Sequence, residues 1–184
     1  YLTIKEILGL TQPIITTFYG ADVSQYIKQK GVHYYDRLQK EAVQFFTMSQ
    51  NMKERILPLG FASEKVEPLP VSVDVESFPF SRHVIREGET MHIVSVGRFV
   101  EKKGFNDLLH AVAIVKKKAR RPFILHIIGG GVLEEELKQL AKELAVLDVV
   151  RFEGVMKVQE VVKFLTTAHL FVQASKTARD GDME

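Results

Sequence analysis

Residues 91–105 read MHIVSVGRFVEKKGF, and the fold turns on how that stretch is parsed. Met91 to Val96 is a short, largely β-branched apolar run that stops at Gly97-Arg98, the pattern of a buried strand ending in a turn. Phe105, Leu108, Leu109, Val112 and Val115 then recur at a spacing near 3.6, which is one face of a helix. The unit repeats. Phe123–Ile128 (FILHII) ends in Gly129-Gly130-Gly131 and leads to a helical face of Leu133, Leu137, Leu140, Ala141 and Leu144. Val149–Glu153 ends at Gly154 and leads to Val158, Val161, Val162 and Leu165, and His169–Ala174 reads as a last strand. Strands alternating with helices of this length predict right-handed βαβ units on a mostly parallel sheet. Near-continuous apolar strands are what such a sheet needs when helices cover both of its faces. The expected fold class is therefore α/β, a doubly wound parallel sheet.

Upstream of this block, residues 74–90 (DVESFPFSRHVIREGET) are polar, proline-broken and aperiodic, the texture of a linker or domain boundary. Before it, Pro13–Phe18 reads as a strand closed by the turn-like Tyr19-Gly20-Ala21-Asp22. Val32–Ala42 reads as a helix and Gln44–Met48 as a second strand. Ser49 suits the N-cap of a helix over Gln50–Leu59, and Gly60 suits its left-handed end. A third short strand is expected around Lys65–Val71. The chain thus divides into the tail of one α/β domain, residues 1–83 with the linker, and most of a second, residues 84–184.

Composition bounds the chemistry. The chain has 184 residues, 46% hydrophobic and 26% charged, with a formal net charge of +2. That is an ordinary globular composition, with enough apolar surface to offset chain entropy. The near-balance of charge argues against a dedicated nucleic-acid partner. Without cysteine there is no disulfide framework, thiol nucleophile or Cys-ligated metal, which fits a cytoplasmic setting. No apolar run reaches the ~18 residues that a membrane span needs, and the first residues lack a signal-peptide pattern. Opening at Tyr1 with no Met, the chain reads as an internal piece of something longer.

In sheets of this kind ligands gather beyond the carboxyl ends of the strands. Gly97, Gly129 and Gly154 stand at three such ends, where each either simply closes its strand or lets a ligand approach the backbone. The loop GRFVEKKG (97–104) places Arg98 and Lys103 at the start of a helix. A helix N-terminus is already electropositive, so cations there make sense when an anion fills the gap, Arg gripping phosphate oxygens and Lys acting as a point charge. A solvated charged loop is the alternative. The glycine triplet is not the dinucleotide fingerprint GxGxxG, which disfavours a nicotinamide enzyme. The six histidines show no metal-ligand spacing. His92 and His126, inside strands, read as packing residues, and Glu134, Glu135 and Glu136 as the acidic first turn of a helix. Lys116, Lys117, Lys118, Arg120 and Arg121 read first as cations at a helix end, where the dipole favours them, and second as a membrane-surface patch.

Residues Ile93 to Ser175 carry a resemblance. VSVGRFVEKKG, IIGGGVLEEEL, RFEGVM and AHLFVQAS follow in order the motifs of the nucleotide-sugar-binding domain of retaining GT-B glycosyltransferases, family four. The stretch FFTMSQNMKERILPLGFASEKVEPLPVSVDVESF resembles the segment closing that family's amino-terminal domain, and TTFYGADVS its interdomain loop. The closing GDME (181–184) resembles the lead-in to the family's paired-Glu motif in the capsule and exopolysaccharide branch, with Glu184 as its first Glu and the second lying beyond.

The resemblance implies two Rossmann-like domains, both incomplete here. Residues 1–83 would close the acceptor-side domain and residues 84–184 would make most of the donor-binding one. The implied reaction moves a sugar from a nucleotide-diphosphate sugar to an acceptor hydroxyl with retention, in polysaccharide or glycoconjugate biosynthesis. Arg98 and Lys103 would hold the diphosphate, without a metal cofactor, and Glu184 would hydrogen-bond the sugar. Gly97, Gly129 and Gly130 would line the donor pocket, and Gly154, Val155 and Met156 would offer backbone groups to the base. Tyr19, Gly20 and Asp22 would face the donor from the acceptor side. Tyr19 stands where many members carry His, and a phenol's reference pKa near 10 suits hydrogen bonding to sugar or acceptor, or loop packing, better than base catalysis. The acceptor would be a sugar or a lipid-linked saccharide, and the setting the cytoplasm or the inner face of a membrane. The alternatives are a non-catalytic nucleotide-binding α/β module and a nucleotide-sugar epimerase of similar architecture.

Overall fold

The computed structural model describes residues 2–80 and 82–182. Two compact units are present: Tyr1–Val73 together with Asp180–Asp182, and Asp74–Arg179.

The first unit holds helix α1 (Leu2–Ile7), strand β1 (Ile14–Phe18), helix α2 (Gln25–Lys30), helix α3 (Asp36–Glu41), strand β2 (Ala42–Thr47), helix α4 (Gln50–Ile56) and strand β3 (Val66–Pro68). Its sheet runs β1-β2-β3, all parallel. The core is aromatic: Phe45 stacks on Phe18 at 6.0 Å, and Phe61 meets both edge-on at 4.9 and 5.4 Å. The Ser49 hydroxyl accepts from Met52 N–H at 3.1 Å and caps α4. Beyond α4 a 3₁₀ turn (Leu57–Leu59) ends on Gly60 at φ 97°, ψ 9°, as the cap reading requires.

Several boundaries differ from the sequence reading, among them the second strand, which spans Ala42–Thr47 and not Gln44–Met48. The helix expected over Val32–Ala42 starts as a 3₁₀ turn (Val32–Tyr35) and is α-helical only over α3. It stops because Ala42 pairs with Ile14 and already belongs to β2. The third strand shrinks to Val66–Pro68, the residues that face Phe45, Phe46 and Thr47 across the ladder. The short helices α1 and α2 were not foreseen.

The second unit begins with a 3₁₀ turn (Val75–Ser77) and an irregular strap, then alternates as expected. Strand β4 (Met91–Val96) is followed by helix α5 (Phe105–Lys118), β5 (Phe123–Ile128), α6 (Glu134–Glu143), β6 (Val150–Gly154), α7 (Val158–Thr167) and β7 (Leu170–Phe171). All pairs are parallel, in the order β6-β5-β4-β7. Alternate residues of β5 take opposite faces. Phe123, Leu125 and Ile127 join Leu108, Leu109, Val112, Leu137 and Ala141 in one core under α5 and α6. The other face turns toward α7, where Phe164 meets the His126 ring. Helices on both faces make the sheet doubly wound.

The last strand is shorter than the expected His169–Ala174: only Leu170 and Phe171 pair with β4, and the chain beyond runs to the Lys102 carbonyl, which accepts from Lys176 N–H at 2.8 Å. His92 and His126 are also more than packing residues: they are half-buried and hydrogen-bonded to each other at 3.0 Å.

Candidate functional site

The connection from β6 crosses to the far side of β4 before entering β7. The crossover that follows β4 and the one that enters β7 therefore lie on opposite sides of β4, and such a switch point opens a crevice at the strands' carboxyl ends. The loop from β4 to α5 sits there. Gly97 N–H donates to the Ile128 carbonyl at 3.0 Å and Phe99 N–H to the Gly130 carbonyl at 2.9 Å, while Leu133 N–H returns to the Phe99 carbonyl at 3.1 Å. Phe99 is buried against Phe105 and Phe152. Arg98 is thus held between two anchored neighbours, with its own side chain exposed and in no ion pair among the described residues.

A 3₁₀ turn (Glu101–Lys103) then ends on Gly104 at φ 66°, ψ 24°, and Gly104 is also the N-cap of α5. Lys103 folds back so that its stem lies over Gly97: a Cβ on Gly97 would sit 3.4 Å from Lys103 Cδ and 3.6 Å from Cε. Gly104 offers no capping side chain to the first N–H groups of α5, which leaves the helix start electropositive. The segment after β7 closes the other side. Lys176 Nζ pairs with Asp107 of the first turn at 2.6 Å, and Arg179 Nε lies 3.4 Å from Glu101. Among the described residues the rim therefore carries more cations than carboxylates.

One of the strand-end glycines, Gly129, has a steric reason to be glycine, whereas the neighbour of Gly130 is the movable side chain of exposed Val155. A Cβ on Gly129 (φ 143°) would stand 1.9 Å from the Gly97 carbonyl oxygen. A Cβ on Gly130 would stand 2.9 Å from Val155 Cγ2. Gly129 N–H donates to the Gly154 carbonyl at 2.8 Å, which ties the ends of β5 and β6 together. Val155 is exposed and Met156 half-buried just beyond. Gly97, Arg98, Lys103, Gly129, Gly130, Gly154, Val155 and Met156 thus all lie at the carboxyl end of one sheet. Glu184 lies outside the described residues.

In the first unit, Tyr19, Gly20 and Asp22 follow the end of β1. The Asp22 carboxylate accepts from the backbone N–H groups of Tyr19 at 2.9 Å, Gly20 at 2.7 Å and Val23 at 3.1 Å. The Tyr35 hydroxyl donates to the Asp22 carbonyl at 2.8 Å. Asp22 is therefore the residue that folds the loop, and Tyr19 is exposed upon it. Burial, and then the Asp22 charge, push the Tyr35 phenol up to about 12.

Sequence reasoning missed Asp107, Lys176 and the contact of Gly104 with Ala174, because each depends on what β7 brings back to the loop. Among the described residues no group of three or more His, Asp or Glu is placed to hold a metal ion, and no helix is long and apolar enough to cross a membrane.

Residues 78–181 match the model of a family described as glycosyl transferases group 1. The amylovoran biosynthesis glycosyltransferase AmsK of Erwinia amylovora is 29% identical over 184 residues, covering 98% of this chain and 44% of that protein. The putative colanic acid biosynthesis glycosyltransferase WcaL of Escherichia coli K12 has the same identity and coverage. The chain spans less than half the length of these curated relatives. Among solved structures, Anabaena Alr3699/HepE in complex with UDP superposes with a TM-score of 0.76 at 14% identity, covering 96% of this chain and 50% of that one. WaaG, a glycosyltransferase involved in lipopolysaccharide biosynthesis, gives 0.66 at 13% identity, covering 96% and 57%. At these identities the two structures bear on the fold alone.

Proposed function

The chain belongs to the group 1 glycosyltransferases, and from that membership we propose that it forms part of an enzyme that moves a sugar from a nucleotide-diphosphate sugar to an acceptor hydroxyl with retention. Residues 84–184 would carry most of the donor site and residues 1–83 part of the acceptor side. The observation that carries the donor assignment is the loop at the β4–β7 switch point, where Lys103 lies across Gly97 and Arg98 is held exposed beside an uncapped helix start.

The hard step in this reaction is departure of the nucleotide diphosphate. Negative charge grows on the oxygen that leaves the anomeric carbon, and preorganised donors at that oxygen lower the barrier. Arg98 would grip the diphosphate bidentately, Lys103 would add a point charge, and the first N–H groups of α5 would point at the same oxygens. Such contacts are worth about 3–4 kcal/mol each in the transition state. This cationic set supplies the charge neutralisation that the leaving group needs. Val155 and Met156 would offer backbone groups to the base, and Gly129 and Gly130 would line the pocket wall. Glu184 would take hydroxyls of the donor sugar. Tyr19 would reach sugar or acceptor from a loop that Asp22 holds in shape.

The relatives named for amylovoran and colanic acid biosynthesis support a role in polysaccharide assembly, on a sugar or lipid-linked acceptor in the cytoplasm. Lys117, Lys118 and Arg120, beside the exposed Ile114 and Val115, would let this part of the second unit rest on an anionic membrane.

The test is a thermal-shift titration with UDP, GDP and ADP, with NAD as control. A ligand that binds only the folded state raises the midpoint by mass action. A rise with one nucleoside diphosphate, lost in Arg98→Ala, is the expected result. In the whole enzyme the same variant should lower kcat by about 10²–10³, and unchanged turnover would sink the assignment.

A further inference from the structure

On the α7 face of the second sheet, away from the strand ends, Glu153 of β6, His126 of β5 and His92 of β4 form a hydrogen-bonded row. His126 Nδ1 lies 2.7 Å from Glu153 Oε1, and His126 Nε2 lies 3.0 Å from His92 Nδ1. The His92 backbone N–H donates to His169 Nδ1 at 3.0 Å, and the His92 ring stacks between those of His126 at 5.2 Å and His169 at 5.9 Å. We propose that this row is an acid-sensitive switch: it stores one proton without losing a hydrogen bond, and a second proton breaks the row and releases α7 and β7.

The tautomers follow from the partners. A carboxylate only accepts, so His126 carries its proton on Nδ1 and gives it to Glu153. Neutral His126 then has a bare Nε2, which must accept, so His92 also carries its proton on Nδ1 and leaves its own Nε2 bare. His169 accepts at Nδ1 and so is protonated at Nε2. Two rings in a row are thereby held in the Nδ1–H form, the less common one for imidazole in water.

The first proton binds at the bare His92 Nε2. The His92 Nδ1–H bond breaks as that proton passes along the existing hydrogen bond to His126 Nε2. His126 becomes a cation that donates at both ends, to Glu153 and to His92, and His92 stays neutral as its Nε2–H form. Every hydrogen bond survives, and the charge sits beside a carboxylate. The second proton has only His92 Nδ1 left among the ring nitrogens of the row. Protonating it sets two N–H groups against each other at the 3.0 Å contact and stacks two cations.

The surroundings add little to oppose that repulsion. Glu89, before β4, is the carboxylate that favours charge on His92, and Arg86 and Arg121 lie near enough to Glu89 to act on it in turn. Burial, followed by His126 and His169, holds the His92 ring below its ordinary value. His83 on the strap meets the His169 ring edge-on and hydrogen-bonds the Thr166 carbonyl. From α7 come Phe164 and Thr167, neither of them titratable. They close a cavity of about 220 Å³ over His92, Val94 and His126, roomy enough for water to deliver protons.

What the row holds down is weakly held otherwise. No residue of α7 is fully buried, and β7 is a two-residue edge strand. Both of its flanking bonds run to β4, from His169 N–H to the His92 carbonyl and from Val172 N–H to the Val94 carbonyl, each at 2.9 Å. Elements of this kind open first. The chain leaving β7 carries Ala174 to Gly104 and Lys176 to Asp107, so loosening β7 loosens the wall of the candidate site. The inference stands on the row's geometry and does not depend on glycosyl transfer.

The test follows histidine ring nitrogens of the 184-residue chain by ¹⁵N NMR from pH 8 to pH 4.5, with amide exchange measured in parallel. At pH 8, His92 and His126 should be Nδ1–H and His169 Nε2–H. The row should take two protons in separate steps, and the second, at His92 Nδ1, should come below the ordinary histidine range. Exchange over residues 158–172 should rise at least tenfold across the His92 step alone, with residues 105–118 unchanged. Glu153→Gln keeps an acceptor for His126 but removes the charge, so the first step should fall by about one pH unit. An Nε2–H form of His92 or His126 at pH 8 overturns the proposal. So does exchange that stays flat, or that rises equally in both segments.

Discussion

The Cβ that Gly104 lacks would lie 1.8 Å from the carbonyl oxygen of Ala174. The helix that opens the candidate site therefore begins in backbone contact with the segment that leaves β7, some seventy residues later in the chain. No side chain fits between them, and Gly104 also adopts φ 66°, which costs a β-carbon further strain.

Glycine-to-alanine changes around this loop should accordingly sort by space. Gly104→Ala and Gly129→Ala each drive a Cβ into a carbonyl oxygen at a positive φ, and each should lower stability by on the order of 3 kcal/mol or more. Gly97→Ala meets the flexible stem of Lys103 at 3.4 Å and the Phe105 ring at 3.5 Å, both ordinary van der Waals distances, and should cost under about 1 kcal/mol. Urea denaturation of the three variants checks the order. Equal losses would show that the close approaches do not govern these positions.

Lys103 is expected to act through its charge and to pack through its methylenes, and one substitution separates the two. Lys103→Met keeps an unbranched apolar stem for Gly97 and removes the cation. Stability should fall by no more than about 1 kcal/mol, since the cation takes part in a further interaction of the fold. Affinity for the nucleoside diphosphate that binds should fall about tenfold or more, the size of one lost charge-assisted contact. Isothermal titration calorimetry beside a melting curve reads both quantities. Unchanged affinity would move the phosphate contact elsewhere on the rim.

The sequence was legible where burial is simple. β4 and β5 have the bounds that their apolar runs suggest, because both faces are covered and every residue had to be apolar or paired. The same logic found the glycine-ended loops. It failed where a contact is remote or an element is short. The six-residue helices α1 and α2 are too short to display a period. β7 is shorter than its apolar run suggests, because only Leu170 and Phe171 pair with β4 before the chain turns toward the β4–α5 loop. Asp22 has the same letters whether it faces a ligand or gathers three backbone N–H groups, and only the loop geometry distinguishes the roles. Likewise, nothing in a linear reading aligns His92 with His126 and Glu153. That row needs the register of three parallel strands.

Tyr35 gives the first unit a dependence on alkaline pH with a definite sign. Its hydroxyl is buried and donates to the Asp22 carbonyl at 2.8 Å. The neutral phenol is thereby favoured in the folded state, at about 12 against a reference of 10.0. The unfolded chain loses this proton first, so between those two values the folded state binds more protons than the unfolded one. Stability contributed by Tyr35 is then fully present below pH 10 and lost progressively as pH rises toward 12. The melting midpoint should fall across that window. Tyr35→Phe should start lower at pH 8, because the Asp22 carbonyl loses its donor, and should then decline less steeply. A parallel decline in both proteins would assign the alkaline loss to other groups, and phenolate absorbance would show whether one of the five tyrosines titrates after the rest.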